Sequence, residues 1–152
     1  IVDIRTTMYS FEHFRNSKRA ISLGLILLVI FLTSCEKHVT PKKVFRIITE
    51  DSWVISSFTF LDSNVVVDYT NKLFGFGESG NIIIQGESGV GGHWSVGLNK
   101  KPTVLYLDNF IAFPYNRLND DWEVLTCSDS KISLRSENGS FTNSLTLIKH
   151  EQ

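Results

Sequence analysis

Cysteine is nearly absent from this chain, with 2 in 152 residues, Cys35 and Cys127. That excludes a multi-disulfide scaffold and a four-cysteine zinc site. Histidine is scarce too, with 4 residues, and no His/Cys pair has ligand spacing, so neither a metal nor any other cofactor is expected. The formal net charge is only -1, which gives no broad positive field to hold nucleic acid. With 3 prolines and 10 glycines the chain is neither collagen-like nor low-complexity. What is present is a globular composition, 42% hydrophobic and 20% charged, at a length that suits one ordinary domain.

One long apolar run stands out. Arg15, Lys18 and Arg19 precede Ala20 to Leu32, which no charged residue interrupts. A bilayer-spanning helix needs about 20 apolar residues; this run is shorter and follows a basic stretch, the build of a secretory signal. A core helix would show a polar face, and this segment has none. Met8 is the only methionine and the expected start, with Ile1 to Thr7 as upstream translation. After the run, Leu32-Thr33-Ser34-Cys35 resembles the bacterial lipobox. The resemblance implies a diacylglycerol on the Cys35 thiol, cleavage just before it, and acylation of the new amino terminus. Two or three acyl chains anchor far better than one, each buried methylene contributing about 0.8 kcal/mol. No spanning helix is expected after residue 35. If Cys35 carries lipid, Cys127 has no intrachain partner; its strand-like surroundings predict burial.

The expected organisation is a signal peptide over 1–34, a lipidated tether with a short helical turn over 35–49, and a β domain over 50–152. Glu36 to Lys43 is polar and reads as the tether, and Val44, Ile47 and Ile48 have helical spacing. From Trp53 onward the hydrophobic period is two. Trp94, Val96 and Leu98 share one face of a strand, as do Ile132 and Leu134, and Leu145 and Leu147. Further strands are expected over 53–61, 65–70, 73–77, 81–85, 103–108 and 122–128. Turn signals separate them, including Asn138-Gly139 and Asn99-Lys100-Lys101-Pro102. Short connections make successive strands antiparallel neighbours. The fold class is therefore all-β: a small antiparallel up-and-down β-barrel of about eight strands, closed to remove its edges, with a two-sheet β-sandwich as the alternative. The one long connection, 109–121, holds Phe110, Phe113, Pro114 and Tyr115 and reads as a loop or one short helix, of a length that often has a job such as lying over a barrel mouth.

Motifs that suggest chemistry fail on context. Gly75-Phe76-Gly77-Glu78-Ser79-Gly80 matches a dinucleotide-binding pattern, but a strand-like segment follows where a helix is required. Both Gly-Glu-Ser-Gly stretches lack the glycine that a nucleophile elbow needs two residues after serine. His93 reads as a rim or surface residue. Asp120-Asp121 reads as a turn cap rather than a carboxylate pair. No catalytic residue is assigned, and an enzyme is not expected. An aromatic set, including Phe58, Phe74, Trp94, Tyr106 and Trp122, either fills the barrel or lines a cavity. Trp94, Tyr106 and Phe113 are the candidate ligand-contacting residues.

Five segments carry a family resemblance: Trp53-Val54-Ile55-Ser56-Ser57-Phe58, Gly92-His93-Trp94-Ser95-Val96, Leu118-Asn119-Asp120-Asp121-Trp122-Glu123-Val124, Lys131-Ile132-Ser133-Leu134 and Leu145-Thr146-Leu147-Ile148-Lys149. Their order and spacing resemble lipocalin-like lipoproteins of the Bacteroidota kind, over roughly residues 50 to 149. The resemblance implies a lipid-anchored barrel in the cell envelope, on the outer membrane, with periplasmic and surface-facing orientations both open. Two function classes follow. The first is a module holding a small apolar or amphipathic ligand inside the barrel. The second is a packed barrel that offers loops to an envelope partner or inhibits an enzyme. An aromatic-lined cavity open at one end would favour the first; a solid interior with an apolar patch on the long loop would favour the second.

Overall fold

A computed structural model describes residues 39–89, 91–98 and 101–151. The expected signal run and Cys35 lie outside the described residues. The first element among the described residues is a helix, α1, over Pro41–Glu50. It starts earlier than the tether reading allows, because Thr40 caps it: the Thr40 hydroxyl accepts from the Lys43 backbone N–H at 3.3 Å, and proline occupies the first helical position. Val44, Ile47 and Ile48 form its buried face, at the spacing that predicts it.

Nine strands follow: β1 Ser52–Phe60, β2 Ser63–Asn64, β3 Phe74–Phe76, β4 Asn81–Ile84, β5 Gly91–Val96, β6 Val104–Asp108, β7 Asp120–Cys127, β8 Lys131–Asn138 and β9 Phe141–Lys149. From β3 to β9 each strand pairs antiparallel with the next. β1 closes the ring. Its first residues pair with β3, Trp53 opposite Phe74, and its length pairs with β9, from Trp53 opposite Lys149 to Thr59 opposite Ser144. The result is the closed eight-stranded antiparallel barrel that period-two spacing predicts, and closure removes the free edges of an open sheet. β2 stands beside the ring, paired with the end of β1 through a two-residue turn.

Three local expectations are corrected. Val65 to Thr70 is not a strand: Val66–Tyr69 forms a single 3-10 turn that sends Tyr69 into the core. Leu98 does not continue the inward face of β5; that strand ends at Val96, and Leu98 is 81% exposed. In the last hairpin Asn138 pairs with Phe141, so Gly139 and Ser140 form the turn, and Gly139 alone takes positive φ. That fits a turn with glycine at its first position. The GxGxxG stretch is the hairpin β3–β4; strand Asn81–Ile84 follows it and no helix does.

The inside of the barrel is filled. Trp53, Phe58, Phe74, Leu105, Trp122, Ile132 and Leu134 are all within 2% of complete burial. Phe58 lies 5.3 Å from the Tyr69 ring and 6.0 Å from that of Trp122, tilted and edge-on. Such contacts add about 0.5–1.5 kcal/mol each beyond burial itself. Each indole N–H bonds a backbone carbonyl outside the strands: Trp53 to Ile48 O of α1 at 3.0 Å, Trp94 to Gly77 O at 2.9 Å, Trp122 to Leu118 O at 2.9 Å. Large apolar bodies thereby enter the core without stranding a donor. Both ends are plugged. α1 packs against β1, β3, β5 and β7 at one end, and Thr103 holds its approach by donating to Val39 O at 2.6 Å. At the other end Tyr69, Phe110, Tyr115 and Leu118 descend from loops.

Candidate interaction surface

The long connection between β6 and β7 is built like a clamp. Asn119 accepts from Phe110 N–H at 2.9 Å and donates to Phe110 O at 2.8 Å, so one side-chain amide ties both ends of the loop together. Inside this closure Ala112 O accepts from Asn116 N–H at 3.0 Å, and Tyr115–Leu118 forms a 3-10 turn. The loop is then nailed down from within. Phe110, Tyr115 and Leu118 are buried. The Tyr115 ring meets Tyr69 at 5.9 Å and Phe74 at 6.3 Å, and the Tyr69 hydroxyl donates to Pro114 O at 2.8 Å. Burial raises the Tyr69 hydroxyl pKa, so it stays protonated and a donor.

Glycine makes room for one of these anchors. A Cβ on Gly92 would sit 2.7 Å from the Phe110 ring and 2.8 Å from Asp108 O. Gly92, the second residue of β5, therefore makes room for the loop packed against it.

Two neighbouring pairs brace the same end. Lys72 bonds Glu87, joining the connection before β3 to the turn after β4, and Tyr115 donates to Glu87 at 3.3 Å. The Lys72 hydrogen bond and charge hold the Glu87 carboxyl below its ordinary value, and the same hydrogen bond raises Lys72. Arg117 donates to Asp68 at 2.6 Å and lies over Phe113, 4.6 Å from its ring centroid.

Against this fixed background two large apolar side chains point outward: Ile111 is 92% exposed and Phe113 67%. Ile111 also borders an outer cleft of about 580 Å³, lined by Gly91, Gly92, His93, Asn109 and Ala112 among others.

The candidate ligand-contacting residues fall in three environments. Trp94 faces inward and is 4% exposed, between Phe76 and Phe45. Tyr106 is half-buried on the alternate, outward face of β6, between inward Leu105 and Leu107. Phe113 lies on the loop. The structure does not bring them together. His93 is exposed, with Nδ1 3.2 Å from Asn109 Nδ2. Asp120 and Asp121 belong to β7 rather than to a preceding turn, and they diverge as strand neighbours must. Asp120 accepts from Ser136 at 2.6 Å, beside a fully buried Asn143 whose side-chain oxygen accepts from Leu61 N–H at 2.9 Å. This polar knot holds the β1–β2 turn, where Leu61 and Asp62 both take positive φ. The sequence reading missed it, since nothing marks Asn143 as inward in a polar stretch.

Cys127 is free and buried, and burial raises its thiol pKa. Among the described residues no group of His, Cys, Asp and Glu could hold a metal, and no helix is long and apolar enough to cross a membrane. No protein-family model matches the chain, and no curated protein matches it significantly.

Proposed function

We propose that this protein is a lipid-anchored lipoprotein of the bacterial cell envelope, held by acyl chains on Cys35, whose packed barrel binds an envelope protein through the 109–119 loop. It works as an interaction protein, not as an enzyme. The observation that carries the reading is the outward placement of Ile111 and Phe113 on a loop whose other large residues are core anchors. A mobile loop would have to be ordered on binding; this one is braced from both ends, which lowers that cost. An exposed aliphatic and aromatic pair beside a charged rim is the composition of a binding patch.

Storage of a small apolar ligand inside the barrel, the other expectation, finds less support, because the inward-facing side chains already occupy that space. An amphipathic ligand would instead use the outer cleft beside Ile111.

The test is site-specific photocrosslinking in intact cells. A crosslinker at residue 111 should give one discrete adduct, lost in Phe113→Asp, whereas one at exposed Ile83 on β4 should give none. Cys35→Ala should release the protein from membranes and abolish the adduct. Equal crosslinking at 83 and 111 would refute the loop assignment, and unchanged fractionation of Cys35→Ala would refute the anchor.

A further inference from the structure

The charges of the barrel are unevenly placed along its axis. At the end plugged by α1, exposed Lys42, Lys43, Lys101 and Lys131 have no ion-pair partner among the described residues, against unpaired Glu78 and Glu151. Arg46 is held there by Glu50 at 3.1 Å and Asp129 at 3.7 Å, and Lys149 by Asp51 at 2.6 Å. At the opposite end the charged groups without an ion-pair partner among the described residues are all acidic: Asp62, Asp108, Asp120, Asp121 and Glu137. The chain as a whole is nearly neutral, so this is an internal asymmetry rather than a general excess.

Apolar side chains accompany the basic end. Phe45, on the outer face of α1, is 42% exposed, and Leu98, in the β5–β6 turn, is 81% exposed. Both border one cleft of about 540 Å³, with Lys42 on its rim and Trp94 and Val96 in its wall. Phe45 is held in place by the Trp94 ring at 5.4 Å. Three residues separate Cys35 from Val39, and an extended chain spans at most about 3.3–3.6 Å per residue. A lipid on Cys35 would therefore keep the start of α1 close to the leaflet.

We propose that the α1 end is a membrane-facing surface that rests on an anionic leaflet, with Phe45 and Leu98 entering the interface and Lys42, Lys43 and Lys101 meeting the headgroups. This rests on the anchor proposed above. The physical logic is that of two-signal membrane binding, in which acyl chains and a basic, partly apolar surface act together. The acidic end, with Ile111 and Phe113, is then repelled from the same leaflet and turned toward a partner.

The test uses the full lipidated chain in a Cys127→Ser background, with an environment-sensitive fluorophore on Leu98→Cys or on Phe113→Cys. Each is reconstituted into phosphatidylcholine vesicles with and without phosphatidylglycerol. In the anionic vesicles the label at 98 should be blue-shifted and quenched by acrylamide roughly threefold less than the label at 113, since an interfacial side chain sits about 5–10 Å into the headgroup region. Lys42→Glu with Lys43→Glu should return the label at 98 to solvent while the protein still floats with the vesicles. Equal quenching at 98 and 113 on floating protein would overturn this orientation and leave the anchor standing. Failure of the acylatable chain to float, or equal flotation of Cys35→Ala, would overturn the anchor and the orientation together.

Discussion

Gly92 shows how much of the loop's position depends on a single missing side chain. Its backbone faces the Phe110 ring and the Asp108 carbonyl, and a methyl group there would fall at 2.7 Å from one and 2.8 Å from the other. The carbonyl belongs to the β6 backbone and cannot rotate away, so Gly92→Ala should cost about 1–3 kcal/mol, the range of overpacked cores. Urea denaturation measures this. Gly75→Ala is the control, because the nearest atom to its Cβ is Ile83 O at 3.9 Å, ordinary contact distance. A Gly92→Ala protein as stable as the control would mean that Phe110 is not held as described. The same residue shows a limit of sequence reading. A glycine-rich turn is visible in the order of residues, but which ring fills the gap is decided by packing across two strands.

At the scale of elements, period-two spacing predicts the strands well where one face is buried and the other wet. Ile132 and Leu134 of β8, and Leu145 and Leu147 of β9, are buried in register opposite one another. The pattern misleads at Val65 to Thr70, where a β-branched run forms a 3-10 turn instead. What decides it is tertiary: Tyr69 is drawn into the ring cluster with Phe58 and Tyr115, and local propensity cannot register that. The helical spacing of Val44, Ile47 and Ile48 predicts α1, but not that it plugs the barrel. The long loop is recognisable from its length and aromatic content, yet the sorting of Phe110 and Tyr115 inward from Ile111 and Phe113 outward is a property of the fold.

The Lys72–Glu87 pair joins two connections at the loop end, and it yields a pH prediction. The Glu87 carboxyl is lowered in the folded chain, so its contribution is fully present above the ordinary carboxyl value and is lost as pH falls through the folded value. Lys72 is raised, so its contribution is present below the ordinary lysine value and is lost as pH rises through the folded one. Glu87→Gln should therefore flatten part of the acid limb of a stability-versus-pH profile and, because it removes the partner that raises Lys72, part of the basic limb as well. Both groups are near the surface, and salt should weaken the effect. An acid limb identical to that of the wild type would mean that the pair does not form in solution.

At the scale of the molecule, the decisive feature is a ring with stoppers at both ends. α1 fills one mouth and the Tyr69 and Tyr115 turns fill the other. Side-chain periodicity reveals a barrel but not whether it is hollow, because inward residues look the same lining a cavity or filling one. The volume balance is settled only when the aromatic rings of the loops and the aliphatic face of α1 are added to the side chains of the strands. Native mass spectrometry of the intact protein, purified from membranes, tests this most directly. A full barrel predicts the covalent mass of the chain alone and no stoichiometric small molecule. A defined compound co-purifying at one per chain, and released only on unfolding, would contradict a solid interior.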